Sequence, residues 1–350
     1  MTPWVSATAG LLLLVGGGEL LVRGAARLAA LRGLSPLVVG LTVVAFGTSA
    51  PELAVSLLAV RSGAADVAIG NVVGSNIFNV LLIVGVSALI VPLTVTRRIV
   101  WVEVPVVIGV SIAAWACALD GRVGGLDGLV LLLVFAAYTA WLLRTGAAES
   151  SGGDESGQEG MGSAASVATA AAGLALLVLG ARWLVDGAVA IATALGVSDA
   201  VIGLTVVAAG TSLPEVAASV VAAARGHRDI AIGNVLGSNI FNVTMILGTT
   251  AVVGGGVAVA SGILRFDMIV MIAVAAACLP IFFTGHSVDR WEGLLFLGLY
   301  AAYTAYLVLD ATAHEALPRY RDAMLFVLPL TAATLVALAV HAAFASRRRT

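Results

Sequence analysis

The chain has 350 residues, of which 60% are hydrophobic and only 11% are charged. A soluble domain carries about 25% charged residues, so this composition excludes an ordinary soluble protein and favours a polytopic membrane protein. The net charge of −2 excludes a protein that binds nucleic acid through phosphate contacts, and the absence of lysine excludes P-loop and Schiff-base chemistry.

Ten apolar segments, each long enough to cross a membrane, follow one another along the chain. A membrane-spanning helix needs about 20 mostly apolar residues. The loops between the segments place the N-terminus outside and the loop after span five in the cytoplasm, because cytoplasmic loops carry an excess of arginine. We therefore expect a multi-pass protein of the plasma (inner) membrane. The predicted spans are 4–31, 36–60, 68–92, 98–119, 126–144, 166–194, 199–224, 231–256, 263–284 and 291–309, with an eleventh candidate at 323–345.

Two blocks of sequence occur twice at the same spacing. GLTVVAFGTSAPELAVS at 40–56 matches GLTVVAAGTSLPEVAAS at 203–219, and AIGNVVGSNIFNV at 68–80 matches AIGNVLGSNIFNV at 231–243, with an offset of 163 residues in both cases. Each copy contains five predicted spans, so the second copy must enter the membrane from the opposite side. Inverted repeats place a binding site at their interface, near the bilayer midplane. The predicted fold is an all-α polytopic membrane protein with a ten-helix core of two inverted five-helix repeats and an eleventh C-terminal helix.

The repeats divide the chain into four parts. Residues 1–144 form the first inverted repeat, and residues 166–309 form the second. Residues 145–165 are rich in Gly, Ser and acids, which is typical of a flexible, solvated linker in the cytoplasm. Residues 310–350 form a C-terminal extension, for which we expect a topological role, with Arg347 to Arg349 holding the C-terminus inside. A regulatory or dimer contact is the alternative role of this extension.

Two acids lie near the middle of predicted spans, at equivalent positions of the two repeats. Glu52 belongs to span two and Glu215 to span seven. A carboxylate at the bilayer centre costs at least a few kcal/mol and indicates a functional site. No arginine lies in either repeated block, so a simple structural ion pair has no partner there. We therefore predict that both acids bind a cation.

The sequence before each acid is suited to interrupt a helix. Proline lacks an N–H and clashes with the carbonyl four residues earlier. We expect breaks that leave backbone carbonyls free around Ala45 to Thr48 and around Ala208 to Thr211, and a membrane tolerates such backbone where it lines a cavity. An ordinary helix kink is the alternative. The residues expected to break the helices are Gly47, Pro51, Gly210 and Pro214.

The second repeated block carries polar residues at helical spacing. On a helix, Asn71, Ser75 and Asn79 fall on one face, so spans three and eight can offer oxygen ligands. Pairs of glycines four residues apart would let another helix approach closely; these are Gly70 with Gly74 and Gly233 with Gly237. Alternatively, some of the asparagines only join helices by hydrogen bonds, namely Asn71, Asn76, Asn234 and Asn239.

Two carboxylates give the predicted site a charge of −2. One divalent cation, two monovalent cations or two protons neutralise this charge, which is what competitive exchange requires. Carboxylate, carbonyl and hydroxyl oxygens are the ligands that Ca²⁺ takes. The repeated blocks contain no Cys or His, so they match Zn²⁺ and Cu⁺ poorly.

At these residues the sequence resembles the cation/calcium exchanger superfamily, in particular prokaryotic sodium/calcium exchangers. GTSAPE and GTSLPE, each followed by GSNIFN, are similar to its two alpha-repeat signatures. The resemblance implies that Glu52 and Glu215 bind Ca²⁺ and share the site with Na⁺. It also implies the remaining ligands: the backbone carbonyls of Thr48 and Thr211, the central Asn79 and Asn242, and the sodium-site positions Ala45, Ser49, Ser75, Ala208, Ser212 and Ser238.

One position departs from the family pattern. Asn242 stands where some prokaryotic relatives carry Asp, which leaves two acids in the site and argues against the potassium-dependent branch. Proton/calcium exchangers of the family that the sequence resembles usually alter the Ser-Asn segment of the second block, so the resemblance with GSNIFN intact in both blocks implies sodium rather than proton coupling. We therefore predict a secondary active antiporter, rather than an enzyme, that exchanges Ca²⁺ for Na⁺ by alternating access.

This predicted function implies a small set of partners and leaves three alternatives. We expect membrane lipid and small inorganic cations as partners, and no cofactor, nucleic acid or obligate protein partner. The alternatives are a Ca²⁺/H⁺ antiporter on the same scaffold, an ion channel, and an intramembrane enzyme with Ser49 or Ser212 as nucleophile. No His shares the serines' blocks to serve as their base.

Charged residues interrupt the two long spans one and six. Glu19 and Arg23 correspond, at the offset of 163, to Arg182 and Asp186, so the signs are exchanged while the spacing of four is kept. Each pair can simply neutralise itself near the headgroups. The matching helices of the family resemble a mobile pair that slides against an eight-helix core. The second hypothesis is therefore a gating role, with charges paired between spans one and six.

Overall fold

The computed structural model describes residues 2–146, 162–195 and 208–347, and these residues are almost entirely helical. The helices in chain order are α1 (Pro3–Arg32), α2 (Pro36–Thr48), α3 (Ala50–Arg61), α4 (Ala65–Ile90), α5 (Ile99–Cys117), α6 (Gly125–Gly146), α7 (Ser163–Ala194), α8 (Ala208–Gly210), α9 (Leu213–Ala224), α10 (Arg228–Val253), α11 (Ile263–Phe283), α12 (Arg290–Ala311) and α13 (Leu317–Arg347). Four two-residue strands complete the fold: β1 (Leu93–Thr94), β2 (Arg122–Val123), β3 (Val257–Ala258) and β4 (Ser287–Val288).

The helices confirm the prediction of an all-α polytopic membrane protein. Within the described ranges, nine helices are long and apolar enough to cross a membrane, and α2 with α3 forms one further span that is bent by 44°. The extra C-terminal helix exists and is longer than the predicted span at 323–345. Parts of three sequence predictions lie outside the described residues: the linker at 147–161, the start of span seven at 199–207, and Arg348 with Arg349.

The long helices α1 and α7 pack against each other through glycines spaced by seven residues. A Cβ on Gly17 would lie 2.8 Å from the carbonyl oxygen of Gly173, and a Cβ on Gly180 would lie 2.8 Å from that of Gly10. The helices run antiparallel, since Gly10 faces Gly180 while Gly17 faces Gly173. Backbones this close leave no room for a charged side chain between them. The glycines of this seam are Gly10, Gly17, Gly24, Gly173, Gly180 and Gly187.

The two copies of the repeat are joined by matched contacts at their loops. Strand β1 pairs antiparallel with β4, and Leu93 lies opposite Val288. Strand β2 pairs in the same way with β3, and Val123 lies opposite Val257. Because β1 corresponds to β3 and β2 to β4 along the repeat, each two-stranded sheet contains one strand from each copy. The second sheet is therefore the counterpart of the first.

An acid on the fourth span of each repeat, buried in the case of Glu103 and half-buried in the case of Asp267, is held by a tyrosine on the fifth. Tyr138 of α6 donates to Glu103 of α5, and Tyr303 of α12 donates to Asp267 of α11 over 2.8 Å. Arg98 also donates to Glu103, over 2.9 Å. These contacts fix the outer helices of each repeat around the centre, where α4 and α10 are the most buried of the described spans.

The C-terminal helix α13 is anchored to α12 near its start. Arg321 donates to Asp310 over 2.9 Å and lies over the ring of Tyr306. Tyr320 donates to the carbonyl of Ala302 over 2.7 Å. In the first repeat, Arg98 lies over Trp141 in the equivalent way. The first repeat thus forms its cation–aromatic contact from two of its own residues, Arg98 and Trp141. In the second repeat the arginine of the contact, Arg321, comes from the C-terminal extension.

Candidate functional site

The first acid lies where the span formed by α2 and α3 bends. Helix α2 ends at Thr48, and α3 begins at Ala50 with Pro51 and Glu52 in its first turn. Proline is tolerated there because the first N–H groups of a helix have no partner within it. At this position the positive end of the α3 helix dipole stabilises a negative charge on Glu52. The start of α3 lies inside the protein rather than at its surface.

The second repeat is broken in the same way. The short helix α8 ends at Gly210, and α9 begins at Leu213 with Pro214 and Glu215 in its first turn. Both acids are buried, with 1% of each residue exposed. Two glutamates are therefore placed at equivalent helix starts within the protein interior.

The break in the first repeat is milder than the sequence predicts. The N–H of Ser49 still donates to the carbonyl of Ala45 over 3.0 Å, so the expectation that this carbonyl has no N–H partner is wrong. The bend is small enough to keep the hydrogen bond between Ser49 and Ala45. Pro51 has no N–H, so it is the carbonyl of Gly47 that loses its donor four residues later. In the second repeat, the N–H of Ser212 donates to Ala209 over 3.2 Å. Ala208 begins α8, next to residues outside the described ranges.

Each glutamate is held by a serine of the other repeat. Ser212 donates from its Oγ to Oε1 of Glu52 over 3.0 Å, and Ser49 donates to Oε1 of Glu215 over 2.9 Å. The Oγ atoms of Ser212 and Ser75 are 3.1 Å apart. The predicted ligands are therefore linked across the repeats by hydrogen bonds, in one group of Ser212, Glu52 and Ser75 and in a second group of Ser49 and Glu215.

A second layer of side chains supports this network, and it includes two serines that the sequence analysis did not single out. Asn71 donates to Oγ of Ser56 over 3.0 Å and to the backbone carbonyl of Glu52 over 3.2 Å. Asn234 does the same with Ser219, over 2.9 Å, and with the carbonyl of Glu215, over 3.4 Å. Ser56 and Ser219 end the first repeated block, so their recurrence was the signal available in the sequence.

The two threonines turn their hydroxyls toward this supporting layer. Thr48 donates to Oδ1 of Asn234 over 3.2 Å, and Thr211 donates to Oδ1 of Asn71 over 3.3 Å. The threonine side chains are thus engaged with asparagines of the opposite repeat. Their backbone carbonyls are left as the groups that the family resemblance assigns to Ca²⁺.

Asn79 and Asn242 begin irregular stretches in the middle of the two most buried spans. The helix widens to i→i+5 hydrogen bonding at Asn79–Val84 in α4 and at Asn242–Ile246 in α10. Such single wide turns are frequent at functional sites. Both asparagines are buried. The equivalent distortion of both helices places the two amides at corresponding points of the repeats.

Five buried oxygen atoms in this region have no hydrogen-bond partner within the described part of the chain. A buried polar atom without a partner costs free energy, and in a native structure it usually marks a function or a missing ion. These five belong to residues that the sequence analysis selected as ligands; a sixth such oxygen in the described residues, Oγ of Ser87 near the end of α4, does not. The five atoms are Oε2 of Glu52, Oε2 of Glu215, Oδ1 of Asn79, Oδ1 of Asn242 and Oγ of Ser238.

The donor set has the chemistry of a site for alkali and alkaline-earth cations. Carboxylate, amide and hydroxyl oxygens are hard ligands of the kind that Ca²⁺ takes six to eight at a time. In the described ranges, no group of three or more His, Cys, Asp and Glu side chains could hold a metal ion. The site therefore depends on two acids together with neutral oxygens.

The glycines near the site are packed against neighbouring helices. A Cβ on Gly237 would lie 2.6 Å from the carbonyl oxygen of Leu41, and one on Gly233 would lie 2.8 Å from that of Leu37. Gly47 and Gly210 face side chains of α7, Leu174 and Val185 respectively. Gly70 and Gly74 are the repeat counterparts of Gly233 and Gly237, but a Cβ on either would meet no described atom within 4 Å, and the positions equivalent to Leu37 and Leu41, 200 and 204, lie outside the described residues.

The charged residues of α1 and α7 do not pair with one another as the gating hypothesis expects. Glu19 contacts Arg23 over 3.3 Å and Arg225, at the end of α9, over 2.7 Å. Arg182 and Asp186 are 3.9 Å apart, with 80% and 64% of their side chains exposed. The glycine seam explains the difference, because it brings the facing backbones together and turns the charges outward.

Comparison with known proteins agrees with the fold and the signatures. The family described as Sodium/calcium exchanger protein matches residues 2–144 and 165–309. The sodium/calcium exchanger MaX1 of Methanosarcina acetivorans is 34% identical over 338 residues, covering 85% of this chain and 96% of that protein. The inner membrane protein YrbG of Escherichia coli is 35% identical over 255 residues, covering 71% and 78%.

A solved structure of the sodium-calcium exchanger NCX_Mj, soaked with Na⁺ and Ca²⁺, superimposes on this fold with a TM-score of 0.76 and 34% sequence identity. The match covers 88% of this chain and 99% of that one. The family match includes both repeated blocks and leaves out only the linker and the C-terminal extension. The chain belongs to the sodium/calcium exchanger protein family.

Proposed function

We propose that this protein is a secondary active antiporter that exchanges Ca²⁺ for Na⁺ at a site containing Glu52 and Glu215. The observation that carries the proposal is the set of five buried oxygens that find no hydrogen-bond partner among the described residues, two of which belong to these carboxylates. Burying such atoms is unfavourable unless a cation completes their coordination. The names of the relatives support the same pair of ions.

The charge of the site explains why the two ions would compete. With both acids ionised the site carries two negative charges, and a dry interior makes an unbalanced charge very costly. One Ca²⁺ balances the charge, and so do two Na⁺. We propose alternating access, in which the site faces one side of the membrane and then the other, loaded with one cargo on each passage.

The residues divide into two proposed groups of ligands. Glu52 and Glu215, with the carbonyls of Thr48 and Thr211 and the amide oxygens of Asn79 and Asn242, would surround Ca²⁺. The sodium positions would use the hydroxyls of Ser49, Ser75, Ser212 and Ser238 and the carbonyls of Ala45 and Ala208. Ser49 and Ser212 can serve there because a hydroxyl that donates to a glutamate keeps lone pairs for a cation.

We also propose a domain organisation on the basis of the repeats. Residues 1–144 and 166–309 would form the two inverted halves that share the site, joined by the cytoplasmic linker at 145–165. Residues 310–350 would form an appended span, anchored by Arg321. The N-terminus would lie outside. The family match supports the two halves, since it covers nearly these same ranges.

The test is calcium uptake by purified protein in sealed proteoliposomes. Vesicles loaded with Na⁺ and diluted into sodium-free medium should accumulate Ca²⁺, and vesicles without an ion gradient should not. A matched set carries a proton gradient and no sodium. Uptake that follows the proton gradient and ignores sodium would replace the proposal with Ca²⁺/H⁺ exchange.

A further prediction concerns the ion pair between α1 and α9. Glu19 and Arg225 line a pocket with Arg23 and His227, and their bond joins the glycine-packed pair to a helix of the site. If helices α1 and α7 move together during transport, the ion pair between Glu19 and Arg225 resists the movement. We expect Glu19→Gln to raise the turnover rate about two- to fivefold, which is what an exposed ion pair is worth, while calcium affinity stays nearly unchanged.

Rate and equilibrium calcium binding are measured on the same preparation of the Glu19 variant. Arg225→Gln should behave like Glu19→Gln, because it removes the other half of the bond. Asp186→Asn is the matched control, since its pair with Arg182 is longer and lies on an exposed face. Wild-type turnover in both test variants, or a rate change accompanied by an equal change in calcium affinity, would contradict the proposal that this ion pair slows the movement of α1 and α7.

A further inference from the structure

Four asparagines form a closed arrangement where α4 crosses α10. Asn76 and Asn79 come from the first repeat, and Asn239 and Asn242 from the second, and at most 2% of each residue is exposed. Each amide has one end that donates and one that accepts. Each hydrogen bond among the four therefore has a definite donor and acceptor. These directions are set first by the backbone carbonyls and then by the outer amides, which fix the inner amides at the site.

The outer pair is fixed by the backbone. Nδ2 of Asn76 donates to the backbone carbonyl of Asn239 over 3.3 Å, and Nδ2 of Asn239 donates to the backbone carbonyl of Asn76 over 3.3 Å. A carbonyl can only accept a hydrogen bond. The nitrogen end of each amide must therefore face the backbone carbonyl of the opposite asparagine, which leaves Oδ1 of each free to accept a hydrogen bond from another group.

The inner pair is fixed by the outer pair. Nδ2 of Asn242 donates to Oδ1 of Asn76 over 3.1 Å, and Nδ2 of Asn79 donates to Oδ1 of Asn239 over 3.0 Å. An amide oxygen also only accepts, so the nitrogen ends of Asn79 and Asn242 are committed to it. Their oxygens then point elsewhere, and these are the Oδ1 atoms that have no hydrogen-bond partner in the part of the chain that the structure describes.

We propose that Asn76 and Asn239 are positioning residues that determine which end of each central amide faces the transported cation. Asn76 orients Asn242, and Asn239 orients Asn79, so each repeat sets the ligand of the other. Without them, a central amide could rotate by half a turn and present its NH₂ group. That rotation would replace an oxygen ligand by a donor that repels the cation.

This inference rests on the proposed function, because it takes Asn79 and Asn242 as ligands. It adds to that function the residues that make the site select a cation. The arrangement keeps the centre of the site uncharged and rich in acceptors. An alternative role for Asn76 and Asn239 is simple attachment of α4 to α10. Loss of attachment would weaken the fold, but it would have no reason to act through one particular amide.

The test is a pair of double-mutant cycles on calcium affinity, measured by calorimetry on the purified full chain. Asn76→Leu should raise the Kd for Ca²⁺ about tenfold or more in the wild-type background, as expected for a lost ligand orientation. In an Asn242→Ala background the same change should have less than about a twofold effect, because residues that act through one another are not additive. Asn239→Leu should show the same dependence on Asn79→Ala.

The cycles contain their own controls. Asn76→Leu in an Asn79→Ala background should keep most of its effect, since the relay pairs Asn76 with Asn242. Thr250→Val removes another buried polar group from α10, one bonded only to its own helix, and should leave affinity unchanged. If Asn76→Leu does not fold, Asn76→Thr is used in the same cycle, and thermal unfolding is recorded for every variant.

Two outcomes would overturn the proposal. One is additive effects in both cycles, and the other is wild-type affinity in a folded Asn76 variant. Either would leave Asn76 and Asn239 as attachment points alone. Failure of the proposed function is recognised separately, because the wild-type protein would then neither bind Ca²⁺ nor take it up against sodium.

Discussion

Glu52→Gln and Glu215→Gln are each expected to abolish calcium exchange. The amide keeps an oxygen that can accept from the serine of the other repeat, so the local packing survives. It removes one of the two charges that balance a divalent ion in a dry site, where an unbalanced charge costs several kcal/mol. Sodium-driven calcium uptake should therefore fall by about a hundredfold or more, to the level of empty vesicles.

Glu292→Gln is the matched control for these variants. Glu292 is also a buried glutamate, but it accepts from the backbone N–H of Asp289 at the start of α12, and glutamine can take that capping role. This variant should transport at close to the wild-type rate. Near wild-type flux in correctly folded Glu52→Gln or Glu215→Gln would remove the central assumption of the proposed site.

Gly17→Ala is expected to be strongly damaging, although Gly17 lies outside the site. The added methyl would lie 2.8 Å from both the carbonyl oxygen of Gly173 and the backbone N of Leu177. Neither backbone atom can move without shifting α7. The helices must separate, so we expect both a lower unfolding temperature and a loss of most transport activity.

The adjacent residue provides the control for the glycine seam. Alanine is favoured over glycine in a helix by about 1 kcal/mol, and Gly16→Ala gains this preference while its Cβ meets no described atom within 4 Å. Gly16→Ala should therefore be neutral or stabilising, and Gly17→Ala strongly destabilising. Thermal unfolding of the two purified variants decides the matter, and equal melting temperatures would mean that α1 and α7 can separate at little cost.

The repeated blocks were sufficient to predict the positions of the breaks, the buried acids and most of the spans. These features depend on local chemistry: proline interrupts a helix wherever it occurs, and an acid in an apolar segment is unusual in any fold. The choice of Asn79 and Asn242 also followed from the repeat, because both blocks end in the same polar pattern. The spacing of those residues was visible without any knowledge of their neighbours.

The partners of those residues could not be predicted, since they come from the opposite repeat. Nothing in the sequence indicates that Ser49 serves Glu215 rather than Glu52, which is three residues away. Nor does it indicate that Glu19 reaches Arg225, because that contact depends on how α1 packs. The glycines at intervals of seven in α1 and α7 are the sequence feature that indicates how these helices pack, and their close contact explains why the charges of α1 do not pair with those of α7.

The exchange of hydrogen bonds between the repeats bears on the direction of transport. Ser49 with Glu215 and Ser212 with Glu52 are equivalent contacts. If the repeats are inverted as proposed, a half-turn about an axis in the membrane plane would bring these contacts onto one another. A bound ion would then have similar surroundings whichever side it came from, so the proposed site would set no preferred direction and the ion gradients would determine it. Any rectification must come from parts without a counterpart, such as the bond from Glu19 to Arg225, whose equivalent positions hold Arg182 and Ser62.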